Sequence, residues 1–190
     1  LLRPVPCRAG HARRLGGKLL RFVIDDADYH PAPDTVAAIL REAGSALDGL
    51  TLGLENHDRF AVSTLRRTIE SAADDRVGVC LDTANSLGAG EGIEAVVSTL
   101  APLTVNLHVK DFHIERLPHL MGFTVSGRPA GEGFLDVPAL LRQLAPFNRC
   151  RSAVLELWTP PEPEIEQTIA KEAAWAFQSV RYLKPLFDHS

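Results

Sequence analysis

Short apolar runs alternate along the chain with longer segments in which apolar residues recur every three or four positions. The runs are rich in aliphatic and β-branched residues, as is typical of buried parallel strands, whereas the longer segments are typical of amphipathic helices. The predicted strands cover residues 19–25, 50–55, 77–82, 103–111 and 152–158. The predicted helices cover residues 34–47, 61–73, 92–101, 136–145 and 164–183. The pattern therefore predicts five β-α units, with a longer irregular insertion at residues 112–135.

Two α/β architectures fit this alternation, because strands joined through helices of this length pair in parallel by right-handed crossovers. An open doubly wound sheet gathers its ligand at one switch point. A TIM barrel brings the C-terminal ends of all its strands around one axis. We favour the (β/α)8 barrel, because polar residues end nearly every predicted strand. A complete barrel has eight units in about 250 residues, so we expect residues 1–190 to form a single domain that is a C-terminal portion, with roughly three units absent on its N-terminal side.

Composition and charge indicate which kinds of partner the protein is expected to bind. The hydrophobic content of 45% is enough to bury a sizeable core. The net charge of −4 and the pI near 6.0 leave no basic footprint, so we expect no nucleic-acid partner. The apolar runs fall short of the roughly 20 residues that span a bilayer, and the N-terminus lacks a signal-peptide pattern, so we expect no membrane partner. Three cysteines without C-x-x-C spacing indicate a reducing, cytoplasmic location, with Cys80 buried and inert in its strand.

Four of the predicted strands end at a carboxylate or an imidazole. The segments are LTLGLENH, VGVCLDTAN, LTVNLHVKD and AVLELW, and their polar residues are Glu55, Asp82, His108 and Glu156. Oxygen ligands combined with one imidazole suit a divalent cation. We expect one such ion, with Mn²⁺ as first choice and Mg²⁺, Co²⁺ or Zn²⁺ as alternatives. For any one of these carboxylates alone, a helix cap or an ion pair with arginine is the competing interpretation.

The same motifs, together with GRPAGEGFLD at residues 127–136, resemble those of the xylose isomerase-like TIM barrels in order and spacing. That superfamily includes sugar isomerases, ketose 3-epimerases, inosose dehydratases and endonuclease IV. The resemblance covers most of residues 19–184 and implies that the predicted strands are strands four to eight of the family barrel. It also implies that Glu55, Asp82, His108 and Glu156 are the four metal ligands, and that Glu55 and Glu156 act as the acid/base pair.

The chemistry that this residue set predicts is proton transfer at a carbon next to a carbonyl group. A divalent cation bound to both substrate oxygens stabilises an enediolate, and two carboxylates can move the proton on opposite faces of the substrate. We therefore expect a metal-dependent isomerase or epimerase acting on a small sugar or keto-sugar derivative. Two alternatives stay open. One is a lyase that dehydrates or decarboxylates a keto-sugar acid, and the other is a truncated, non-catalytic form that retains the ligands.

Four further residues are predicted to contact substrate: His57, Asn85, Lys110 and Arg116. Asn85 takes the position at which the sugar epimerases typically carry a histidine, and this departure, with the two cations, favours an acidic or atypical substrate. For Lys110 the competing interpretation is a salt bridge with Asp111, and for His57 and Arg116 it is a solvated loop. The apolar first strand would be an open sheet edge, so homo-oligomer formation is also expected.

Overall fold

Strands and helices alternate along the chain as the sequence predicts. The structure is a computed structural model that describes residues 5–24 and 28–187. The strands are β1 (Leu19–Phe22), β2 (Thr51–Glu55), β3 (Val77–Asp82), β4 (Thr104–Val109), β5 (Phe112–Arg116), β6 (Phe123–Gly127) and β7 (Ala153–Leu155). The helices are α1 (Val5–Arg14), α2 (Pro33–Ala43), α3 (Val62–Glu70), α4 (Ile93–Leu100), α5 (Val137–Leu144) and α6 (Ile165–Phe187).

Five of these strands form one sheet, in the order β1, β2, β3, β4, β7. The pairing of β1 with β2 and of β2 with β3 is parallel, and the register sets Phe22 beside Leu54 and Glu55 beside Cys80. A parallel five-stranded sheet with intervening helices is an α/β fold consistent with part of a TIM barrel. The predicted fold class is therefore confirmed.

The chain divides into two compact units, the first made of Leu1–Leu107 with Leu144–Ser152 and the second of His108–Gln143 with Ala153–Ser190. The core of the first unit lies where α2 and α3 cover the sheet, because both helices carry their apolar residues on one face. Leu52, Leu54 and Leu81 are fully buried there. Each such side chain contributes about 1.5–3 kcal/mol relative to an exposed position. The prediction of a single domain stays a prediction.

The second unit contains an antiparallel hairpin where the sequence predicts an irregular insertion. Strands β5 and β6 pair from Phe112 with Gly127 to Arg116 with Phe123. The turn between them passes through Leu120, whose φ of 63° is left-handed. Both strands alternate apolar and polar residues, as Phe112-His113-Ile114-Glu115 and Phe123-Thr124-Val125-Ser126 show, and the prediction missed this strand signal. No Asn-Gly or Asp-Gly pair marks the turn between them.

Several predicted strands and helices are longer than the observed ones. The first strand was predicted to reach residue 25, which lies outside the described residues. The last strand was predicted over 152–158, but β7 covers only Ala153–Leu155, so Glu156 follows the strand directly. Helix α1 was not predicted, because only Val5 and Ala9 of its ten residues are buried and its apolar period is weak. Within the described part of the chain, no helix is both long and apolar enough to cross a membrane.

Candidate functional site

Glu55, in the first unit, ends β2 with a buried carboxylate that three side chains approach. Its side chain is only 2% exposed, and the Nε of Arg21 on β1 donates to its Oε2. The Nδ2 of Asn85 donates to Oε1 over 3.1 Å. The Nε2 of His57 lies 3.3 Å from the same oxygen, and this interaction is the main reason that the pKa of His57 is raised above its ordinary value. The carboxylate is therefore stabilised as an anion and held in one orientation.

Asp82 ends β3 in the same unit, and the chain turns sharply after it. The Oδ1 of Asp82 accepts hydrogen bonds from the backbone N–H groups of Ala84 and Asn85, both over 2.8 Å. This arrangement is an Asx-type turn, which fixes the carboxylate relative to the following backbone. A ligand oxygen of Glu55 and one of Asp82 lie within 4.8 Å of each other. Two buried carboxylates this close are costly without positive charge beside them.

Asn56 links these two strand ends, and the sequence analysis did not single it out. It is fully buried, and its Oδ1 accepts the backbone N–H of Asp82 over 2.7 Å. Its Nδ2 donates to the carbonyl oxygen of Asp82 and to the Oγ of Ser86, each over 3.0 Å. The amide thus continues the pairing of β2 with β3 by one residue through a side chain. Its position inside the LENH motif was the only available signal.

A small cavity of about 20 Å³ lies against Glu55 in the first unit. Its lining includes Ile24, His57, Arg59 and Phe60. The cavity thus combines a carboxylate, an imidazole and a guanidinium with apolar walls. The structure therefore places His57 beside both the carboxylate and the cavity. The substrate contact predicted for His57 and Asn85 stays a prediction.

His108 and Glu156, in the second unit, form a contacting pair. His108 is a buried residue of β4, and its Nδ1 lies 3.0 Å from Glu156 Oε2. The Nζ of Lys110 lies 2.8 Å from Oε1 of the same glutamate. The backbone N–H of Glu156 donates to the carbonyl oxygen of Val109 over 3.0 Å, which fixes the residue after β7 beside the end of β4. The Glu156 side chain is 36% exposed, far more than that of Glu55.

Asp111 organises the loop that carries GRPAGEGFLD. Its two carboxylate oxygens accept backbone N–H groups from Phe112, Gly131, Gly133 and Leu135, over 2.8–3.1 Å. Gly131 has a φ of 89°, a left-handed conformation that glycine adopts without steric cost. Asp111 is therefore a buried structural carboxylate, a role that the sequence analysis did not assign to it.

Arg116 lies at the end of β5, where its Nη1 donates to the carbonyl oxygen of Leu120 over 2.9 Å. This contact closes the turn of the hairpin. The exposed side chain is thus part of the hairpin's own structure, and its predicted contact with substrate stays a prediction.

The donor chemistry of both ligand pairs fits a divalent cation. Glu55 and Asp82 offer carboxylate oxygens, and His108 and Glu156 offer an imidazole nitrogen and a further carboxylate oxygen. Hard oxygen donors with one imidazole match Mn²⁺, Mg²⁺ or Zn²⁺ better than a soft metal. In each unit a cationic side chain, Arg21 or Lys110, contacts one of the carboxylates. The ligand roles of the four residues stay predictions.

Several known proteins are similar to this chain in sequence or in fold. The chain is 32% identical over 174 residues to the 3-oxo-isoapionate decarboxylase of Pectobacterium atrosepticum, an alignment of 90% of this chain and 63% of that protein. It superimposes with a TM-score of 0.69 and 13% identity on a xylose isomerase-like TIM barrel protein from Mycobacterium smegmatis in complex with magnesium, over 92% of this chain and 65% of that one. A D-allulose 3-epimerase from Methylomonas in complex with D-allulose gives a TM-score of 0.66 and 14% identity, over 95% and 67%.

These similarities support different conclusions about the chain. At 13–14% identity, the two solved structures bear on the fold alone. The chain spans 63% of the length of the curated decarboxylase. Residues 11–185, nearly the whole chain, match the family described as xylose isomerase-like TIM barrel. The chain therefore belongs to the xylose isomerase-like TIM barrel family.

Proposed function

We propose that this chain carries the active-site residues of a metal-dependent enzyme that decarboxylates a keto-sugar acid. The observation that supports the proposal most is the set of ligand residues at the C-terminal ends of β2, β3, β4 and β7, which are successive strands of one sheet. We propose that all four residues, Glu55, Asp82, His108 and Glu156, hold a single divalent ion. The relative at 32% identity is a decarboxylase, which favours this reaction among those of the family.

The bound ion would supply Lewis-acid stabilisation of negative charge on the substrate oxygens. In the reaction, the bond between the carboxylate carbon and its neighbour breaks and CO₂ leaves. The electron pair moves toward the adjacent carbonyl oxygen, and the carbon that lost CO₂ then takes up a proton.

The surroundings of Glu55 and Glu156 indicate which of the two delivers the proton. Glu55 is held by contacts that stabilise its anionic form, so it is suited to a fixed, charged role. Glu156 is more exposed and has the ammonium of Lys110 at 2.8 Å, which can resupply a proton after transfer. We therefore assign delivery of the proton to Glu156.

Isomerisation or epimerisation of a neutral keto-sugar is the second candidate. It is favoured by the presence of two glutamates rather than one, because epimerisation needs a base and an acid on opposite faces of the substrate. The small-molecule substrate, the cytoplasmic location and the homo-oligomeric state predicted from the sequence remain proposals.

Metal content and product analysis test the proposal. Wild-type protein should bind Mn²⁺, whereas Glu156→Gln and His108→Ala should each weaken Mn²⁺ binding at least about tenfold. Glu70→Gln, which changes an exposed glutamate paired with Arg66, serves as the control and should bind as wild type does. Unchanged Mn²⁺ binding in both site variants would refute the site. Release of CO₂ from 3-oxo-isoapionate would support decarboxylation, and solvent exchange of a substrate C–H without CO₂ release would favour epimerisation.

A further inference from the structure

Arg21 on β1 is a cationic side chain that has no role in the proposed reaction as described above. The register of the sheet sets Arg21 beside Gly53, two residues before Glu55 on the neighbouring strand. From there its Nε reaches Oε2 of Glu55. A guanidinium has five N–H donors in a planar fork, so a contact through Nε leaves the four donors on Nη1 and Nη2 for another group. The side chain as a whole is 46% exposed.

Four other cations among the described residues have partners within the protein. Arg59, which lines the cavity against Glu55, donates to the carbonyl oxygen of Pro31. The ammonium of Lys110 is mostly buried, at 13% exposure, and lies 2.8 Å from Glu156. Arg116 donates to a backbone carbonyl in its own hairpin, and Arg128 forms an ion pair with Glu115. Arg21 combines contact with Glu55 and open hydrogen-bonding capacity.

We propose that Arg21 binds the carboxylate of the substrate and so selects a sugar acid over a neutral sugar. The inference rests on the proposed function, whose active site includes Glu55. A guanidinium fork matches a carboxylate through two parallel N–H···O bonds, a geometry that a hydroxyl group cannot reproduce. It also offsets the repulsion that an anionic substrate would meet beside the buried carboxylates of Glu55 and Asp82.

A matched pair of unreactive ligands tests this role. Ribonate and ribitol differ only in that one carries a carboxylate where the other carries a hydroxymethyl group. Calorimetric titration of the full chain, both with Mn²⁺ and metal-free, should show tighter binding of ribonate. Arg21→Gln should weaken ribonate binding by about tenfold or more and leave ribitol binding unchanged. Arg21→Lys should retain part of the preference, because it keeps the charge and loses the fork.

Arg67→Gln is the control, because Arg67 is an exposed arginine of α3 whose Nη2 contacts Thr64. It should bind both ligands as wild type does. The proposal is overturned if Arg21→Gln keeps the ribonate preference, or if the wild type shows none. Equal weakening of both ligands, together with loss of Mn²⁺, would also overturn it, since Arg21 would then act only by positioning Glu55. Failure of the proposed function appears separately, as unaltered Mn²⁺ binding in Glu156→Gln and His108→Ala, while the metal-free titration still reports on Arg21.

Discussion

The buried amide of Asn56 offers a sharp test of how the ends of β2 and β3 are held together. Asn56→Ala would remove an acceptor from the backbone N–H of Asp82 and donors from the Asp82 carbonyl and the Ser86 hydroxyl. All three groups lie in the interior, where water does not replace the lost partner. The substitution therefore both destabilises the unit and releases the backbone that fixes the Asp82 carboxylate.

The loss of stability expected for Asn56→Ala follows from the number of hydrogen bonds that the substitution removes. Each lost hydrogen bond of this kind costs about 1 kcal/mol, and more where a buried group stays unpaired. The three bonds together predict a loss of about 3 kcal/mol in the free energy of unfolding. Because side chains that orient a metal ligand typically alter affinity by about 10–100-fold, Mn²⁺ binding should weaken by at least tenfold.

Urea unfolding in the presence of a chelator measures the first quantity, and Mn²⁺ titration of the folded variant measures the second. Asn106→Ala is the matched control. Asn106 is also buried, but its Nδ2 donates to the carbonyl and hydroxyl oxygens of Ser152 rather than to Asp82. It should lose about 2 kcal/mol in the free energy of unfolding and keep its Mn²⁺ affinity.

Two results would refute the reasoning about Asn56. A loss of less than 1 kcal/mol would mean that the three groups find other partners. Equal weakening of Mn²⁺ binding by Asn56→Ala and Asn106→Ala would mean that the metal responds to general destabilisation rather than to the orientation of Asp82.

Three further outcomes follow from buried groups. Burial raises the pKa of Cys80 to about 12, so iodoacetamide at pH 8 should modify the exposed Cys7 and spare Cys80; equal labelling in the folded protein would contradict the described burial. Asp111→Ala deprives four backbone N–H groups of their acceptor and should lower the free energy of unfolding by about 3–5 kcal/mol. Urea unfolding measures this loss, and a loss below about 1 kcal/mol would contradict the prediction. Gly78→Ala would set a Cβ 2.5 Å from a backbone carbonyl oxygen and should destabilise the folded protein by about 1–3 kcal/mol. The added Cβ of Gly10→Ala in α1 meets no atom within 4 Å, so this variant is the control. Equal melting temperatures of the two variants would refute the prediction.

The strand ends were predictable from sequence because a buried strand that stops at a carboxylate leaves two signals at once. The apolar run marks the strand, and the polar residue marks its end. Glu55 and Asp82 are the last residues of β2 and β3, as predicted, and His108 lies within β4. The fold class followed from the same alternation, because parallel strands need crossover helices.

The residues that hold those ends in place could not be predicted in the same way. Most hydrogen bonds of the Asn56 and Asp111 side chains join them to residues 20 or more positions away, and such bonds leave no periodic pattern in the sequence. Arg21 lies in the middle of an apolar segment, and only the register of β1 on β2 brings it to Glu55. Register depends on pairing across the sheet, which a single sequence does not specify.

The two glutamates that the sequence treats as an equivalent pair have different surroundings, and this difference bears on the chemistry. Glu55 is 2% exposed and is approached by a guanidinium, an amide and an imidazole. Glu156 is 36% exposed, and its contacts include the ammonium of Lys110 and the imidazole of His108. A buried carboxylate held by fixed donors gains little from taking up a proton, whereas a carboxylate that is open to solvent gains and loses a proton more readily. Decarboxylation requires one proton donor and an otherwise constant electrostatic environment, whereas epimerisation requires two groups that exchange roles. The unequal exposure of Glu55 and Glu156 is thus one argument for the decarboxylation that we propose, in which Glu156 alone transfers a proton.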